Sequence, residues 1–129
     1  INLNIIDFLN SIFFLAGQGM KKTLPPGFRI NGVGQAALIV VGTEWCGHCA
    51  NAKPVIKQVD TAIGKVVPVY WVDGDKHAKK IQSWGVEGFP TVMYRTPEGK
   101  VYRYDGPMTF DGITNFMCGL RPEVCTRIK

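Results

Sequence analysis

Apolar residues recur at helical spacing at the start of the chain. Ile5, Ile6, Leu9, Ile12, Phe13 and Ala16 share one face, widened by Phe8, Phe14 and Leu15, while Asn2, Asn4, Asp7, Asn10 and Ser11 interrupt it. The pattern predicts a helix over residues 3–16 that stops near Gly17 and Gly19. We read it as a helix docked on the rest of the domain, in preference to the trimmed remnant of a signal or membrane anchor, because no basic group stands ahead of it. Residues 20–35 carry turn signals: Pro25-Pro26-Gly27, Asn31-Gly32 and Gly34, with room for a short edge strand over 28–30. Residues 37–41, Ala-Leu-Ile-Val-Val, are apolar throughout and rich in β-branching, which predicts a buried strand. A helix over 50–63 follows and ends near Gly64. A second strand over 66–72 is apolar apart from Pro68, which is expected where no ladder donor is needed.

The pattern continues with a short helix over 76–84 that stops at Gly85. Strands over 91–95 and 100–104 flank the turn Thr96-Pro97-Glu98-Gly99. Thr109 is placed to cap a last helix running to about Cys118, and Asp111 in its first turn suits the helix dipole. A strand, a helix and a strand joined by a long crossover, then a helix and a hairpin, predict an α/β fold. It is a mixed sheet of four to five strands with helices on both faces. The sequence shows no internal repeat and no low-complexity segment.

Between the strand over 37–41 and the following helix stands Trp45-Cys46-Gly47-His48-Cys49. Two cysteines three positions apart, at the start of a helix, bring their sulfurs within joining distance. Unpaired N–H groups and the macrodipole at a helix N-terminus stabilise an anion, so Cys46 is expected to have a depressed pKa. Other uses of the pair fit less well. Cys118 and Cys125 have the wrong spacing for the second half of a zinc knuckle. A c-type haem needs His directly after the second Cys, where Ala50 stands. A purely structural bridge would close a loop too small to stabilise the fold much. We therefore expect no metal and no cofactor other than a redox-active Cys46–Cys49 disulfide.

With this pair, the sequence resembles the thioredoxin superfamily, and most closely a single catalytic a-type domain of the protein disulfide isomerases. Trp-Cys-Gly-His-Cys is the isomerase-type active-site sequence. Pro54 falls where that family's active-site helix carries a proline. Gly85-Val-Glu-Gly-Phe-Pro-Thr91 resembles the loop that ends in a cis-proline, here Pro90. Tyr104, Asp105, Gly106 and Pro107, then Thr109, Gly112 and Ile113, resemble the last strand and final helix. The resemblance covers about residues 36–118. It leaves residues 1–35 as an N-terminal helix and loop extension and residues 119–129 as a C-terminal tail.

The resemblance implies a thioredoxin-like fold and thiol–disulfide exchange. Cys46 is then the attacking nucleophile, Cys49 the recessed resolving thiol, and His48 a group that stabilises the Cys46 thiolate. Trp45, Gly47, Phe89 and Pro90 form the substrate-facing surface, with Pro90, if cis, presenting the Phe89 backbone to an extended substrate. Two positions depart from the family pattern. Val40 stands where a buried acidic residue usually relays protons for the second Cys. Met108 stands where isomerases carry an arginine. Glu44, two positions before Cys46, either repels the thiolate or is simply solvated.

Composition narrows the class without changing it. A chain of 129 residues with 46% hydrophobic and 19% charged residues can bury a real core as one domain. The net charge is +5, and its one small cluster, Lys76, Lys79 and Lys80, reads as a solvated helix face, so no nucleic-acid partner is expected. No apolar run reaches transmembrane length. Cys118 and Cys125 read as a structural disulfide pinning the tail, which favours an oxidising compartment, the secretory pathway and endoplasmic reticulum lumen or a periplasm, and leaves the cytoplasm open. The partners expected are protein substrates with thiols or disulfides and a recycling oxidase or reductase. Disulfide formation or isomerisation is the leading function. A thioredoxin-like reductase and a chaperone-like binding module with little turnover are the alternatives.

Overall fold

The apolar run of residues 37–41 becomes the centre of the sheet. In the computed structural model, which describes residues 19–128, strand β1 spans Ala37–Gly42 and every residue of it is buried. It lies between β2 (Val69–Asp73), to which it is parallel, and β3 (Thr91–Arg95), to which it is antiparallel. β4 (Val101–Tyr104) pairs antiparallel with β3 and completes the order β2-β1-β3-β4. The helices are α1 (Gly47–Ile63), α2 (Ala78–Ser83), α3 (Phe110–Leu120) and α4 (Pro122–Cys125).

Strand alternation divides the core in two. Leu38 and Val40 face a cluster with Ala52, Ile56 and Val59 of α1, Ile113 and Met117 of α3 and Val124 of α4. Ala37, Ile39 and Val41 face the other way, toward Tyr70, Val72, Met93 and Ile81 of α2. Helices therefore cover both faces of a mixed sheet, as the pattern predicts. The expected helix over 3–16 lies outside the described residues.

Four expectations shift in detail. Residues 28–30 do not form an edge strand. Two successive turns take their backbone, with Phe28 N–H on the Pro25 carbonyl at 3.1 Å and Gly32 N–H on the Arg29 carbonyl at 3.0 Å. Buried Arg95 then ties this loop to the sheet by donating to the carbonyls of Gln35 and Gly32, with its guanidinium over the Phe28 ring. The free edge of β2 is instead met by Lys21, in a single parallel bridge to Tyr70. β2 starts at Val69 rather than at residue 66, because Val66 and Val67 both donate to Ile63 at the end of α1. Pro68 lies just outside the strand, where its carbonyl accepts from Leu38 at 2.9 Å and no donor is needed. α2 starts at Ala78 rather than at residue 76, because the Asp73 carboxylate takes the N–H groups of Asp75 and Lys76 into a turn. α3 runs on to Leu120, capped by the Thr109 hydroxyl on Gly112 N–H at 3.0 Å.

Candidate active site

β1 hands over to α1 through Thr43, Glu44 and Trp45, and Cys46 is the helix N-cap. Its sulfur accepts the N–H of Cys49 at 3.3 Å, the role an Asp or Ser oxygen has in most helices. The helix therefore starts at Gly47, three residues before the apolar pattern alone implies. Cys46 and Cys49 are both free thiols. The Cys46 pKa is drawn down chiefly by a hydrogen bond from the Cys49 thiol, against the opposing effect of burial and with help from the N–H groups of Cys49 and His48. Cys49 is 1% exposed. Burial pushes its pKa up, and the neighbouring Cys46 sulfur adds to the rise. Thr43 opposes it: its N–H donates to the Cys49 sulfur at 3.5 Å, and its hydroxyl acts in the same direction.

A second segment closes over the pair. The peptide bond between Phe89 and Pro90 is cis, and the Phe89 carbonyl accepts from the Cys46 thiol at 3.7 Å. Gly74 makes this approach possible, since a Cβ there would stand 2.7 Å from the Phe89 ring. Trp45 is 70% exposed, yet fixed in place. Its indole N–H donates to the Asp75 carboxylate at 3.0 Å, and its ring meets Phe89 edge-on at 5.9 Å. Gly47 and His48 are exposed on the first turn, and open space lies where a Gly47 side chain would point. The contact His48 makes to Cys46 is through its backbone N–H. Glu44 is not free: its carboxylate pairs with Lys53 at 3.7 Å, one turn further along the helix than Cys49. Among the described residues no three His, Cys, Asp or Glu side chains converge as a metal site.

The geometry is a half-buried thiol with a lowered pKa three residues from a buried one with a raised pKa. A family model described as Thioredoxin matches residues 29–118. The chain belongs to the thioredoxin family. It is similar to protein disulfide-isomerase A6 of Mesocricetus auratus, 33% identical over 128 residues, which takes in 91% of this chain and 29% of the relative. It is also 34% identical over 85 residues to protein disulfide-isomerase of Zea mays, covering 65% of this chain and 17% of that one. The chain thus spans less than a third of the curated relatives it matches. Among solved structures, ERdj5 superimposes with a TM-score of 0.72 at 16% identity, over 95% of this chain and 16% of that one. Human ERp44 superimposes at 0.68 and 16% identity, over 79% of this chain and 29% of that one. The fold is thioredoxin-like, and membership in the family supports thiol–disulfide oxidoreductase chemistry.

Cys49 lies in an apolar core cluster. Val40 is fully buried and stands in register between Trp71 of β2 and Val92 of β3. The Trp71 ring packs where a side chain at position 42 would otherwise lie, and a Cβ on Gly42 would come within 2.4 Å of it. Met108 is half-buried and packs against the same core. Cys118, which packs against the same core, forms a disulfide with Cys125, with Cα atoms 4.8 Å apart, linking α3 to α4. Sequence reasoning missed three side chains at the site. Asp75 and Lys53 act across chain distances that no local pattern shows. Thr43 did carry a signal: it is the first polar residue after a fully apolar strand, six positions before Cys49.

Proposed function

We propose that this chain is a thiol–disulfide oxidoreductase domain that forms or rearranges disulfides in protein substrates. The observation that carries the reading is the pair of free thiols at one helix start, half-buried Cys46 as the N-cap accepting the Cys49 N–H and Cys49 buried in the core, an arrangement that lowers the Cys46 pKa and raises that of Cys49. In the oxidising direction, a substrate thiolate attacks Cys46 of the Cys46–Cys49 disulfide, and Cys49 leaves as the thiol. A second substrate thiolate then displaces Cys46, so the substrate loses two electrons and the domain gains them. In isomerisation the Cys46 thiolate attacks a substrate disulfide and frees one substrate thiolate, the substrate thiols exchange among themselves until one expels Cys46, and Cys49 releases any substrate that fails to do so. His48 stabilises the Cys46 thiolate, while Trp45, Gly47, Phe89 and Pro90 form the surface that meets the substrate.

The Cys46–Cys49 disulfide is the only redox group this chemistry needs. A recycling oxidase or reductase sets its direction in the cell. The Cys118–Cys125 disulfide supports an oxidising compartment, a secretory lumen or a periplasm. We assign the catalytic domain to residues 36–118, with 1–35 as an extension and 119–129 as a tail.

The test combines refolding of a scrambled-disulfide protein with reduction of insulin. Wild type should restore activity to the scrambled substrate. Cys46→Ser should be inactive in both assays, and Cys49→Ser should accumulate a mixed disulfide with substrate. Full activity of Cys46→Ser would refute the reading.

A further inference from the structure

Resolution of a mixed disulfide requires Cys49 as a thiolate, and its site opposes that state. The core cluster that holds Cys49 also holds Val40, Trp71, Val92, Ile113 and Met117, none of which titrates, and Tyr94, whose hydroxyl meets Arg121. Cys46 acts on the Cys49 charge, and its sulfur becomes neutral once it carries the substrate. The charged groups nearby in sequence and fold are engaged elsewhere: Lys53 with Glu44 and over the Trp71 ring, Asp75 with the Trp45 indole. Thr43 remains. It is 4% exposed, its N–H already points at the Cys49 sulfur at 3.5 Å, and its hydroxyl oxygen is buried with no hydrogen-bond partner. A buried hydroxyl without a partner costs free energy in the resting protein. That cost is recovered when a charge develops within its reach.

We propose that Thr43 is the residue that supports the Cys49 thiolate during resolution, through its N–H and, as charge develops, its hydroxyl. The proposal rests on the exchange reading above and deepens it. The hydroxyl hydrogen rotates freely, so it turns toward the sulfur only when the sulfur is an acceptor worth meeting. Bonds to ionised groups are the strong ones. Thr43 takes no proton. Cys49 loses its proton to solvent, and its thiolate attacks the Cys46 sulfur. The Cys46–substrate S–S bond breaks, the Cys46–Cys49 bond forms, and the departing substrate thiolate takes up a proton. The domain pair is oxidised by two electrons and the substrate disulfide is reduced by two. Thr43 is thus a positioning and electrostatic group that touches the reacting sulfur, next to a strand that offers no carboxylate at Val40.

The experiment mixes the full chain, with Cys46 and Cys49 reduced and Cys118–Cys125 intact, with one equivalent of dithionitrobenzoate in a stopped-flow instrument. The first thionitrobenzoate released reports attack by Cys46, and the second reports closure by Cys49. Thr43→Val, which keeps shape and N–H but removes the hydroxyl, should slow the second release by about tenfold or more, the worth of one bond to a charged group. Its pH midpoint should move upward, with the first release unchanged. Thr43→Ser should restore the second phase, and Thr43→Ala should match Thr43→Val. A second phase in Thr43→Val within about twofold of wild type, equal slowing of both phases, or a slow Thr43→Ser would each overturn the proposal. No second release in wild type would overturn the exchange reading instead, so the two failures are distinct.

Discussion

The thiol of Cys46 meets the carbonyl oxygen of Phe89 at 3.7 Å, across 43 positions of sequence. One group comes from the start of α1, the other from the turn before β3, and Trp45 spans both by its contact with the Phe89 ring. A substrate sulfur joined to Cys46 would lie beside this carbonyl and the exposed indole. The carbonyl is a main-chain acceptor for an extended peptide, and the rings offer apolar contact to unfolded chain. The two cysteines share one hydrogen-bonded unit but have opposite needs.

Alkylation should separate the two thiols. The thiolate is the reactive form, so a lowered pKa keeps Cys46 reactive to lower pH, and a raised pKa delays Cys49 to higher pH. Iodoacetamide rates followed by peptide mapping should give a Cys46 midpoint below the free-thiol value of about 8.5 and a Cys49 midpoint above it. A Cys46 midpoint at or above that value would contradict the activated thiolate.

His48 should set part of the redox balance in two separable ways. His48→Ala removes the ring and keeps the N–H that helps lower the Cys46 pKa, whereas His48→Pro removes both. Proline is tolerated in a first helical turn, whose N–H groups lack helical partners. Each change destabilises the reduced form, so both variants should become more reducing, His48→Pro by the larger amount. For this two-electron couple about 30 mV corresponds to about 1.4 kcal/mol. Equilibration with glutathione measures it, and an unchanged or more oxidising His48→Pro would remove His48 from the mechanism.

Much of this arrangement is legible in the sequence, for identifiable reasons. β1 is an unbroken apolar run because both of its faces are buried. The start of α1 is legible only through the cysteine motif, since Gly47 and His48 carry no apolar signal and the cap is a sulfur. The strand expected over 28–30 fails because Arg95, 60 positions from Gln35, holds that loop in turns. The bridge at Lys21 rests on two main-chain hydrogen bonds and leaves no side-chain pattern. Asp75 is hidden for a similar reason: its bond to Trp45 spans 30 positions.

Val40→Glu should restore a carboxylate to the apolar side of Cys49. Position 40 is fully buried between Trp71 and Val92, so the change should lower stability by about 1–3 kcal/mol. It should also speed closure by Cys49 near neutral pH and flatten the rise of that rate with pH. It should partly rescue Thr43→Val as well, because both act on the same thiolate. Denaturant melts and stopped-flow decay of a mixed disulfide measure the two effects. Unchanged closure rates would mean that Val40 is a neutral departure.

The Cys118–Cys125 disulfide should stabilise without taking part in exchange. It joins α3 to α4, and Val124, next to Cys125 in sequence, is fully buried. Replacing both cysteines with serine should lower stability by about 2–3 kcal/mol and leave thiol exchange at Cys46 intact. Urea denaturation and the insulin assay check both halves. Loss of exchange in a folded double variant would give this pair a redox role.

The central claim, that Cys46 and Cys49 act as one redox couple, is tested most directly by a glutathione titration of the full chain. Mass spectrometry would count the Cys46–Cys49 disulfide at each glutathione ratio, with Cys118–Cys125 left intact. The account predicts a single two-electron transition with a potential above about −300 mV, the level below which structural disulfides lie. It predicts loss of that transition in Cys46→Ser. Two thiols that glutathionylate independently, or a disulfide more reducing than that level, would contradict it.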